Sequence, residues 1–343
     1  MLWIISECHR GLAHIGHILY PLTNKPVNDG SGRKGSDTMG VMINGTYHIE
    51  DPRPDSSLDG EFRRAASTIR HWITLDGDFT PEPERYHLYA AWNCPWAHRA
   101  LLARSVLGLK DMISVAYARP RRNDQGWVFD DEGPFSDACL GVKALHEVYA
   151  YQQPGFTGRV TVPVLWDRKT SQIVSNESAD LLRMFGTFGR GPDLWPAGNT
   201  PLIEEWNKII YQALNNGVYR AGFATTQAAY DAAVTDVFAA LDRIEVQLGE
   251  TEYLTGGVLT EADLRLFPTL ARFDVAYHYA FKCNIRHLID YPNLWAYARR
   301  IYALPGVAET VDFGIYKQGY FSQSELRNPL GIIPAGPLID WSL

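Results

Sequence analysis

The chain has 343 residues, of which 46% are hydrophobic and 21% charged, and its formal net charge is −7 at pH 7. This length allows two domains with sizeable cores. The acidic balance gives no reason to expect nucleic acid or an anionic membrane surface as a partner. No apolar run approaches the ~20 residues of a membrane helix, so we expect no membrane partner either.

The four cysteines, Cys8, Cys94, Cys139 and Cys283, lie far apart in the chain. Such usage fits a reducing compartment better than a disulfide-stapled secreted protein, and it predicts a cytoplasmic protein. Neither the cysteines nor the histidines show the spacing of a metal ligand set. We therefore expect no metal cofactor.

Residues 1–40 differ in composition from the rest of the chain. Their first 22 residues are moderately apolar with a single arginine, and a Gly/Ser/Asn/Asp/Lys stretch follows. We expect a disordered or non-native extension, which includes the case of a true start at Met39 or Met42. A mitochondrial targeting segment is the alternative, although such segments are rich in arginine.

From Tyr86 the pattern predicts a β–α–β unit: a strand at 86–91, a helix at 95–107 and a strand at 112–117. Residues 41–85, before this unit, are polar and rich in Asp, Arg and Pro. They contain one amphipathic stretch near Phe62 to Trp72.

Cys94 falls between the first strand and the helix, in the run Cys94-Pro95-Trp96-Ala97-His98. Proline is well tolerated at a first helical position, because its missing N–H has no helical partner there. Cys94 is then the N-cap, which faces unpaired N–H groups and the positive end of the helix dipole. Helix N-terminal cysteines have pKa values of roughly 3.5–7.5, so we predict a nucleophilic thiolate rather than a small buried hydrophobe.

Position 97 is alanine, so the second cysteine of a Cys-x-x-Cys pair is missing. A dithiol oxidoreductase needs that resolving thiol. The thiol must therefore exchange with one from outside the protein, and glutathione is the expected co-substrate.

Residues 118–158 are predicted to form a long irregular segment with Gly-rich turns around Trp127 and Pro154-Gly155. A loop this long inside a compact domain is usually functional.

The next run, 160–166, has the composition of a buried strand, but Pro163 interrupts it. Because proline cannot donate to a sheet ladder, we predict a turn before the strand with a cis Val162–Pro163 bond. The Val162 backbone could then pair with an extended peptide such as the cysteinyl unit of glutathione. A trans proline in an edge strand is the alternative.

A short strand at Gln172 to Val174 precedes a helix that begins at Asn176-Glu177-Ser178 and runs to Phe185. A helix N-terminus binds carboxylate through its N–H groups, and the Ser178 hydroxyl adds a donor. Glu177 could accept hydrogen bonds from an α-ammonium. A γ-glutamyl group carries both charges, and plain N-terminal capping is the alternative.

After a Gly/Pro-rich linker the chain changes to helical periodicity. The sequence Thr260-Glu261-Ala262-Asp263 resembles a capping box. An α/β half followed by an all-α half is therefore the predicted fold class. The predicted helices are 201–215, 226–248, 260–281 and 292–303.

At this point the chain resembles the Xi class of glutathione transferases, the glutathionyl-hydroquinone reductases. The resemblance runs from about residue 41 to residue 337. The matching segments are NCPWAHR (93–99), GWVFDDE (126–132), GRVTVPVLWD (158–167), IVSNES (173–178), NNGVYRAGFA (215–224), LTEADLRLFPTLARFD (259–274), FKCNIR (281–286) and NPLGIIPAGP (328–337).

This resemblance implies a thioredoxin-like N-terminal domain followed by an all-helical glutathione-transferase C-terminal domain. It also implies a homodimer and the glutathione-dependent reduction of small-molecule S-glutathionyl-hydroquinones. The expected parts are a glutathione-binding domain at 41–186 with the inserted loop 118–158, a linker at 187–200, a helical domain at 201–325 and a tail at 326–343.

The resemblance also implies a role for each matching residue. Cys94 would be the nucleophile, Tyr219 would transfer a proton to or from the quinol, and Tyr277 and Tyr320 would face the thiol and the substrate. The residues implied to hold glutathione are Trp127, Arg159, Val160, Thr161 and Val162, with Glu177 and Ser178 at its γ-glutamyl end.

Two departures from the family pattern stand close to these residues. Around Tyr320 we expect a histidine before a tyrosine pair, but this chain has Gly319-Tyr320-Phe321. Trp92 and Asn93 are also unusual before the nucleophile and would narrow the site.

Two other functions remain open. An Omega-like thioltransferase or dehydroascorbate reductase would share the cysteine but not the Trp127 loop or the C-terminal tail. A non-catalytic binding scaffold would not need Cys94 together with Trp127, Glu177 and Ser178. Conjugation of glutathione to electrophiles is disfavoured, since a cysteine would form a disulfide with glutathione.

Overall fold

The structure is a computed structural model that describes residues 40–49, 59–325 and 327–343. The described residues all belong to one compact unit. The predicted extension at 1–40 lies outside the described residues apart from Gly40. No helix in the described part of the chain is long and apolar enough to cross a membrane.

A four-stranded sheet forms the centre of the N-terminal half. It consists of β3 (Tyr86–Ala90), β4 (Ile113–Tyr117), β6 (Val164–Asp167) and β7 (Gln172–Ser175), in the order β4-β3-β6-β7. The first two strands are parallel and the other pairs antiparallel. Every residue of β3 is buried, which explains its nearly continuous apolar sequence.

Helices α1 (Pro95–Val106) and α3 (Ser178–Met184) pack against each other, and α1 also packs against a helix of the C-terminal half. The predicted β–α–β unit and the following β–β–α unit are therefore confirmed, with boundaries that shift by one or two residues.

A β-hairpin that the sequence analysis missed lies at the start of the described chain. Strands β1 (Val41–Ile43) and β2 (Thr46–His48) pair with each other, and β1 also pairs with β5 (Gly158–Arg159). The turn residues Asn44 and Gly45 both have positive φ, of 49° and 81°. Asn-Gly between short strands is a strong hairpin signal, so the sequence did contain the information.

The prediction that 118–158 is irregular was wrong for one stretch, because α2 (Leu145–Gln152) lies within it. The helix begins after Ala144, whose N–H donates to Glu147 Oε1 at 2.9 Å. An alanine offers no side-chain cap, and eight residues give little periodicity. For both reasons the sequence analysis did not predict this helix.

The predicted helices of the C-terminal half are confirmed, but two of them are broken by π-helical turns. Residues Ile210–Asn215 and Phe273–Tyr277 form these turns, which occur in many proteins beside functional sites. The α-helices are α4 (Thr200–Ile209), α5 (Gly217–Gly222), α6 (Gln227–Glu250), α7 (Glu261–Arg272), α8 (His278–Ala280), α9 (Pro292–Tyr302) and α10 (Phe313–Tyr320). Helices α5 and α10 were not predicted.

The predicted capping box at the start of α7 is confirmed. The Thr260 N–H donates to Asp263 Oδ2 at 2.8 Å. The other carboxylate oxygen of Asp263 accepts from Leu254 N at 3.0 Å and from the Tyr297 hydroxyl at 2.8 Å. These bonds hold the start of α7, the helix that packs on α1.

Candidate active site

Cys94 occupies the N-cap position of α1, as predicted. The Ala97 N–H donates to Cys94 Sγ at 3.5 Å, and Pro95 begins the helix. The Cys94 side chain is half-buried. Its thiol donates to the Val162 carbonyl at 3.6 Å, which ties the nucleophile to the proline turn.

The helix N-terminus lowers the pKa of Cys94, as expected, but the net direction of the pKa shift is upward. Burial raises the pKa of the thiol, because the thiolate loses its water. The N–H groups of Ala97 and Trp96 and the guanidiniums of Arg272 and Arg64 lower the pKa, but burial has the largest effect. The resting group at neutral pH is therefore the thiol.

This raised pKa predicts how Cys94 reacts with iodoacetamide in the free enzyme. Only the thiolate reacts, so we expect the alkylation rate to rise about tenfold per pH unit from pH 7 up to the pKa of Cys94. Mass analysis of the Cys94 peptide would follow the reaction, and Cys139 serves as an internal comparison. A rate that is constant above pH 7 would mean that the thiolate already dominates.

The Val162–Pro163 peptide bond is cis, as predicted. The residue before it is also held: the Tyr149 hydroxyl donates to the Thr161 carbonyl at 3.0 Å. The Asn176 side chain donates to the same hydroxyl at 3.2 Å. A chain of hydrogen bonds thus joins the predicted glutathione strand to the start of α3. The sequence analysis gave neither Tyr149 nor Asn176 a role in the site.

Glu177 and Ser178 form the N-terminus of α3. Glu177 is the N-cap, and its Oε1 accepts the Ala179 N–H at 3.0 Å. Ser178 is buried, and its hydroxyl oxygen accepts from Arg99 Nη1 at 3.3 Å. Because that bond uses an acceptor site of the hydroxyl, the Ser178 proton is left to donate elsewhere.

The other residues implied to hold glutathione lie on flanking elements. Trp127 is buried in the loop before α2, and its carbonyl accepts from Leu145 N at 2.8 Å. Arg159 belongs to β5 and pairs in register with Val41. Val160 is buried directly after it.

Three tyrosine hydroxyls from three separate elements meet in the C-terminal half. The hydroxyl of Tyr320 lies 2.9 Å from that of Tyr219 and 3.0 Å from that of Tyr277. Tyr219 lies on α5, Tyr277 ends a π-helical turn and Tyr320 ends α10. The structure thus brings together the three tyrosines named from the sequence.

Burial raises the pKa of all three phenols, so they are protonated at neutral pH. The thiolate form of Cys94 further raises the pKa of Tyr219, whereas Arg64 lowers it. Cys94 and Tyr219 are therefore close enough to influence each other electrostatically.

Two arginines beside the nucleophile were missed from the sequence. Arg272 donates to the carbonyls of Trp92 at 2.8 Å and Asn93 at 3.1 Å, and so fixes the turn that leads into Cys94. Arg64 has its guanidinium carbon 4.6 Å from the centre of the Trp96 ring. Arg64 lies outside the matching segments, and Arg272 lies within the segment 259–274 but was given no role.

The two unusual positions, Asn93 and Gly319, are in contact. A Cβ atom on Gly319 would lie 2.3 Å from Asn93 Nδ2 and 2.7 Å from Asn93 Cβ. Asn93 is itself held by the bond from Nδ2 to the Pro120 carbonyl at 3.1 Å. The glycine therefore leaves the space that the asparagine occupies.

Gly319→Ala is accordingly expected to destabilise the protein by about 1–3 kcal/mol, because Cβ of the asparagine cannot swing away as a flexible chain end would. Urea unfolding would measure the loss. The double variant Asn93→Gly with Gly319→Ala should recover most of it. Equal losses in the single and double variants would mean that the contact has no energetic role.

Among the described residues, no group of three or more His, Cys, Asp or Glu side chains could hold a metal ion. The chemistry available to this site is that of one thiol, three phenols and two nearby guanidiniums.

Two family models match the chain. The model described as "Glutathione S-transferase, N-terminal domain" matches residues 93–187, and "Glutathione S-transferase, C-terminal domain" matches residues 227–300.

Curated relatives are similar over nearly their whole length. Glutathionyl-hydroquinone reductase YqjG of Escherichia coli is 46% identical over 88% of this chain and 96% of that protein. Glutathionyl-hydroquinone reductase PcpF of Sphingobium chlorophenolicum is 44% identical over 87% of this chain and 96% of its own length.

Solved structures show the same fold. The glutathione-bound structure of YqjG has a TM-score of 0.77 and covers 80% of this chain and 94% of its own. A Xi-class glutathione transferase from Natrialba magadii is 40% identical, with a TM-score of 0.83, and covers 91% of this chain and 97% of its own.

Proposed function

This chain belongs to the Xi class of the glutathione transferases, and we propose that it is a glutathionyl-hydroquinone reductase with glutathione as co-substrate. It would convert an S-glutathionyl-hydroquinone and one glutathione into the free hydroquinone and oxidised glutathione. The relatives that carry this name cover 88% and 87% of the chain.

The first half-reaction forms a mixed disulfide. Cys94 attacks the sulfur of the glutathionyl group, so a sulfur–sulfur bond forms and the carbon–sulfur bond to the ring breaks. Before this bond breaks, the ring carbon takes a proton from Tyr219, and the electron pair of the broken bond then passes into the ring. Both sulfurs are oxidised to a disulfide and the ring carbon is reduced.

The proton count of this step matches the resting state of the site. The thiol of Cys94 loses one proton and the ring gains one. A protonated Cys94 beside protonated tyrosines can therefore supply the proton within the site, with the hydrogen-bonded hydroxyls of Tyr219, Tyr320 and Tyr277 as the route. The raised thiol pKa is compatible with this chemistry.

The second half-reaction regenerates the free enzyme from the mixed disulfide. A second glutathione, as its thiolate, attacks the glutathione sulfur of the mixed disulfide. Oxidised glutathione leaves and the Cys94 thiol is restored. We assign Trp127, Arg159, Val160, Thr161 and Val162 to the binding of glutathione, with Glu177 and Ser178 at its γ-glutamyl end.

One observation carries this proposal: the thiol at the N-terminus of α1 is close enough to Tyr219 to influence it electrostatically, and Tyr219 belongs to a hydrogen-bonded trio of phenols. A thioltransferase needs the cysteine but no acid that protonates a carbon atom, because its leaving group is a thiolate. The Omega-like alternative therefore leaves the tyrosine trio unexplained, and a binding scaffold explains neither group.

We further propose a homodimer in the cytoplasm, built from the domains 41–186 and 201–325 and the tail 326–343. The exposed apolar side chains of the tail support a partner subunit: Leu330 is 79% exposed, Ile332 64% and Leu338 95%. The alternative location is the mitochondrion, with residues 1–40 as the targeting segment.

The test is the stoichiometry of turnover. Purified protein with 2-glutathionyl-1,4-hydroquinone and excess glutathione should yield hydroquinone and oxidised glutathione in a one-to-one ratio. Dehydroascorbate under the same conditions should be a much poorer substrate. Faster turnover of dehydroascorbate would favour the Omega-like enzyme, and turnover of neither with glutathione still bound would favour the scaffold.

A further inference from the structure

The positively charged guanidinium of Arg64 packs against three aromatic side chains of the candidate active site. Its guanidinium carbon lies 4.6 Å from the centre of the Trp96 ring, 4.8 Å from that of Tyr219 and 5.3 Å from that of Phe62. Guanidiniums stack on aromatic faces in this way. The stack fixes the charge beside the phenol to which we assign proton transfer.

The hydrogen bonding of Arg64 is incomplete. Its Nε donates to Asn216 Oδ1 at 3.1 Å. Its Nη2 is buried and has no hydrogen-bond partner among the residues that the structure describes. A buried donor without a partner is costly, so this nitrogen indicates that a group outside the chain completes its bonding.

Arg272, the other guanidinium near Cys94, and Arg99, whose guanidinium also lies over the Trp96 ring, are already engaged by the protein. Arg272 donates to the carbonyls of Trp92, Asn93 and Pro268. Arg99 donates to Ser178 Oγ and Asn215 Oδ1. Of the three, Arg64 is the one with a donor to offer a ligand.

We propose that Arg64 binds a hydroxyl oxygen of the quinol ring and stabilises the negative charge that this oxygen gains during the reaction. The inference rests on the proposed function. Once the ring carbon has taken its proton and one ring hydroxyl has lost its proton, that oxygen is the oxygen of a ketone and the ring is no longer aromatic. When the carbon–sulfur bond then breaks, its electron pair restores the aromatic ring and the ketone oxygen becomes a phenolate, which the Arg64 donor binds.

A preorganised hydrogen-bond donor accelerates a reaction when it stabilises charge that develops only in the transition state. A disulfide substrate develops no such oxygen anion, because its leaving group is a sulfur. Arg64 should therefore matter much more for the quinol conjugate than for a disulfide that carries the same glutathionyl group, on which it acts only by lowering the pKa of the Cys94 thiol.

The experiment compares two substrates in three variants. The substrates are 2-glutathionyl-1,4-hydroquinone and the mixed disulfide of glutathione with 2-mercaptoethanol. The variants are Arg64→Gln, Arg64→Lys and the matched control Arg63→Gln, whose side chain is 67% exposed and pairs with Asp59. Thermal melting of each variant checks that it is folded.

We expect Arg64→Gln to lower kcat/KM for the quinol conjugate by about 10- to 100-fold, as loss of a hydrogen bond to a charged group does. The disulfide should change less than about threefold, and Arg64→Lys should fall between wild type and Arg64→Gln. Arg63→Gln should match wild type with both substrates.

Equal losses with both substrates would overturn the proposal, since Arg64 would then act on the thiol or on the fold. No loss with either substrate would overturn it as well. A wild type that does not reduce the quinol conjugate at all would overturn the proposed function and this inference together. An active wild type whose Arg64→Gln variant behaves like Arg63→Gln would overturn this inference alone.

Discussion

Replacing Cys94 by serine or alanine is expected to lower the reduction of 2-glutathionyl-1,4-hydroquinone by more than about 10⁴-fold, the scale seen when a covalent nucleophile is removed. A serine hydroxyl at this N-cap would still accept the Ala97 N–H, so α1 should keep its cap. It cannot form a disulfide with glutathione. Hydroquinone release in a coupled assay would measure the loss.

Cys139→Ser is the matched control for this experiment. Cys139 is half-buried like Cys94, but its Sγ contacts the Arg168 guanidinium at 3.4 Å and not the site. It should retain wild-type turnover. In single turnover without glutathione, wild type and Cys139→Ser should each gain one glutathionyl group by intact mass. Turnover that survives in both Cys94 variants would remove the thiol mechanism.

Tyr219→Phe has the second largest expected effect. It removes the hydroxyl that lies 2.9 Å from the Tyr320 hydroxyl and leaves the ring, which packs with Trp96 and Phe223. General-acid catalysis contributes about 10²–10⁴-fold to a rate, so kcat for the quinol conjugate should fall by that factor. Because the fold keeps its packing, KM should change little.

The control for Tyr219 uses a phenol far from the thiol. Tyr151 is 61% exposed and packs edge-on against Trp166, so Tyr151→Phe should have wild-type kinetics. The mixed disulfide of glutathione with 2-mercaptoethanol should react at nearly the same rate in Tyr219→Phe and in wild type. If Tyr219→Phe reduced the quinol conjugate at full speed, the proton would have to come from another group.

The local parts of the site could be predicted from the sequence. The strand, Cys94-Pro95 and the following helix define an N-cap with no information from elsewhere in the chain, and the structure has it. Pro163 in a buried strand predicted the cis peptide bond by the same kind of local argument. Both predictions depend on neighbours within a few residues.

The electrostatics of Cys94 could not be predicted in this way. The helix terminus favours the thiolate, as expected, and two arginines add to this, yet burial outweighs them all. One of these arginines, Arg272, comes from the C-terminal half of the chain. No local pattern carries that information.

The three hydrogen-bonded tyrosines show that resemblance to a family can identify site residues that local sequence patterns do not. Periodicity predicted neither α10 nor its Tyr320, and nothing local links Tyr320 to Tyr219. The family motifs named all three residues, and their shared hydrogen bonds appear only in the structure. Arg64 lies in a segment with no regular secondary structure, so neither route identified it.

The pairing of β1 with β5 also has a consequence for the order of folding. Met42 and Gly158 are joined across almost the whole thioredoxin-like half of the chain. Closing so long a loop costs entropy, and contacts that are close in sequence form at a lower cost. We therefore expect the strand that leads into Val160 to gain this neighbour after the core has assembled, so that the site we assign to glutathione would be among the last parts of the protein to acquire its native shape.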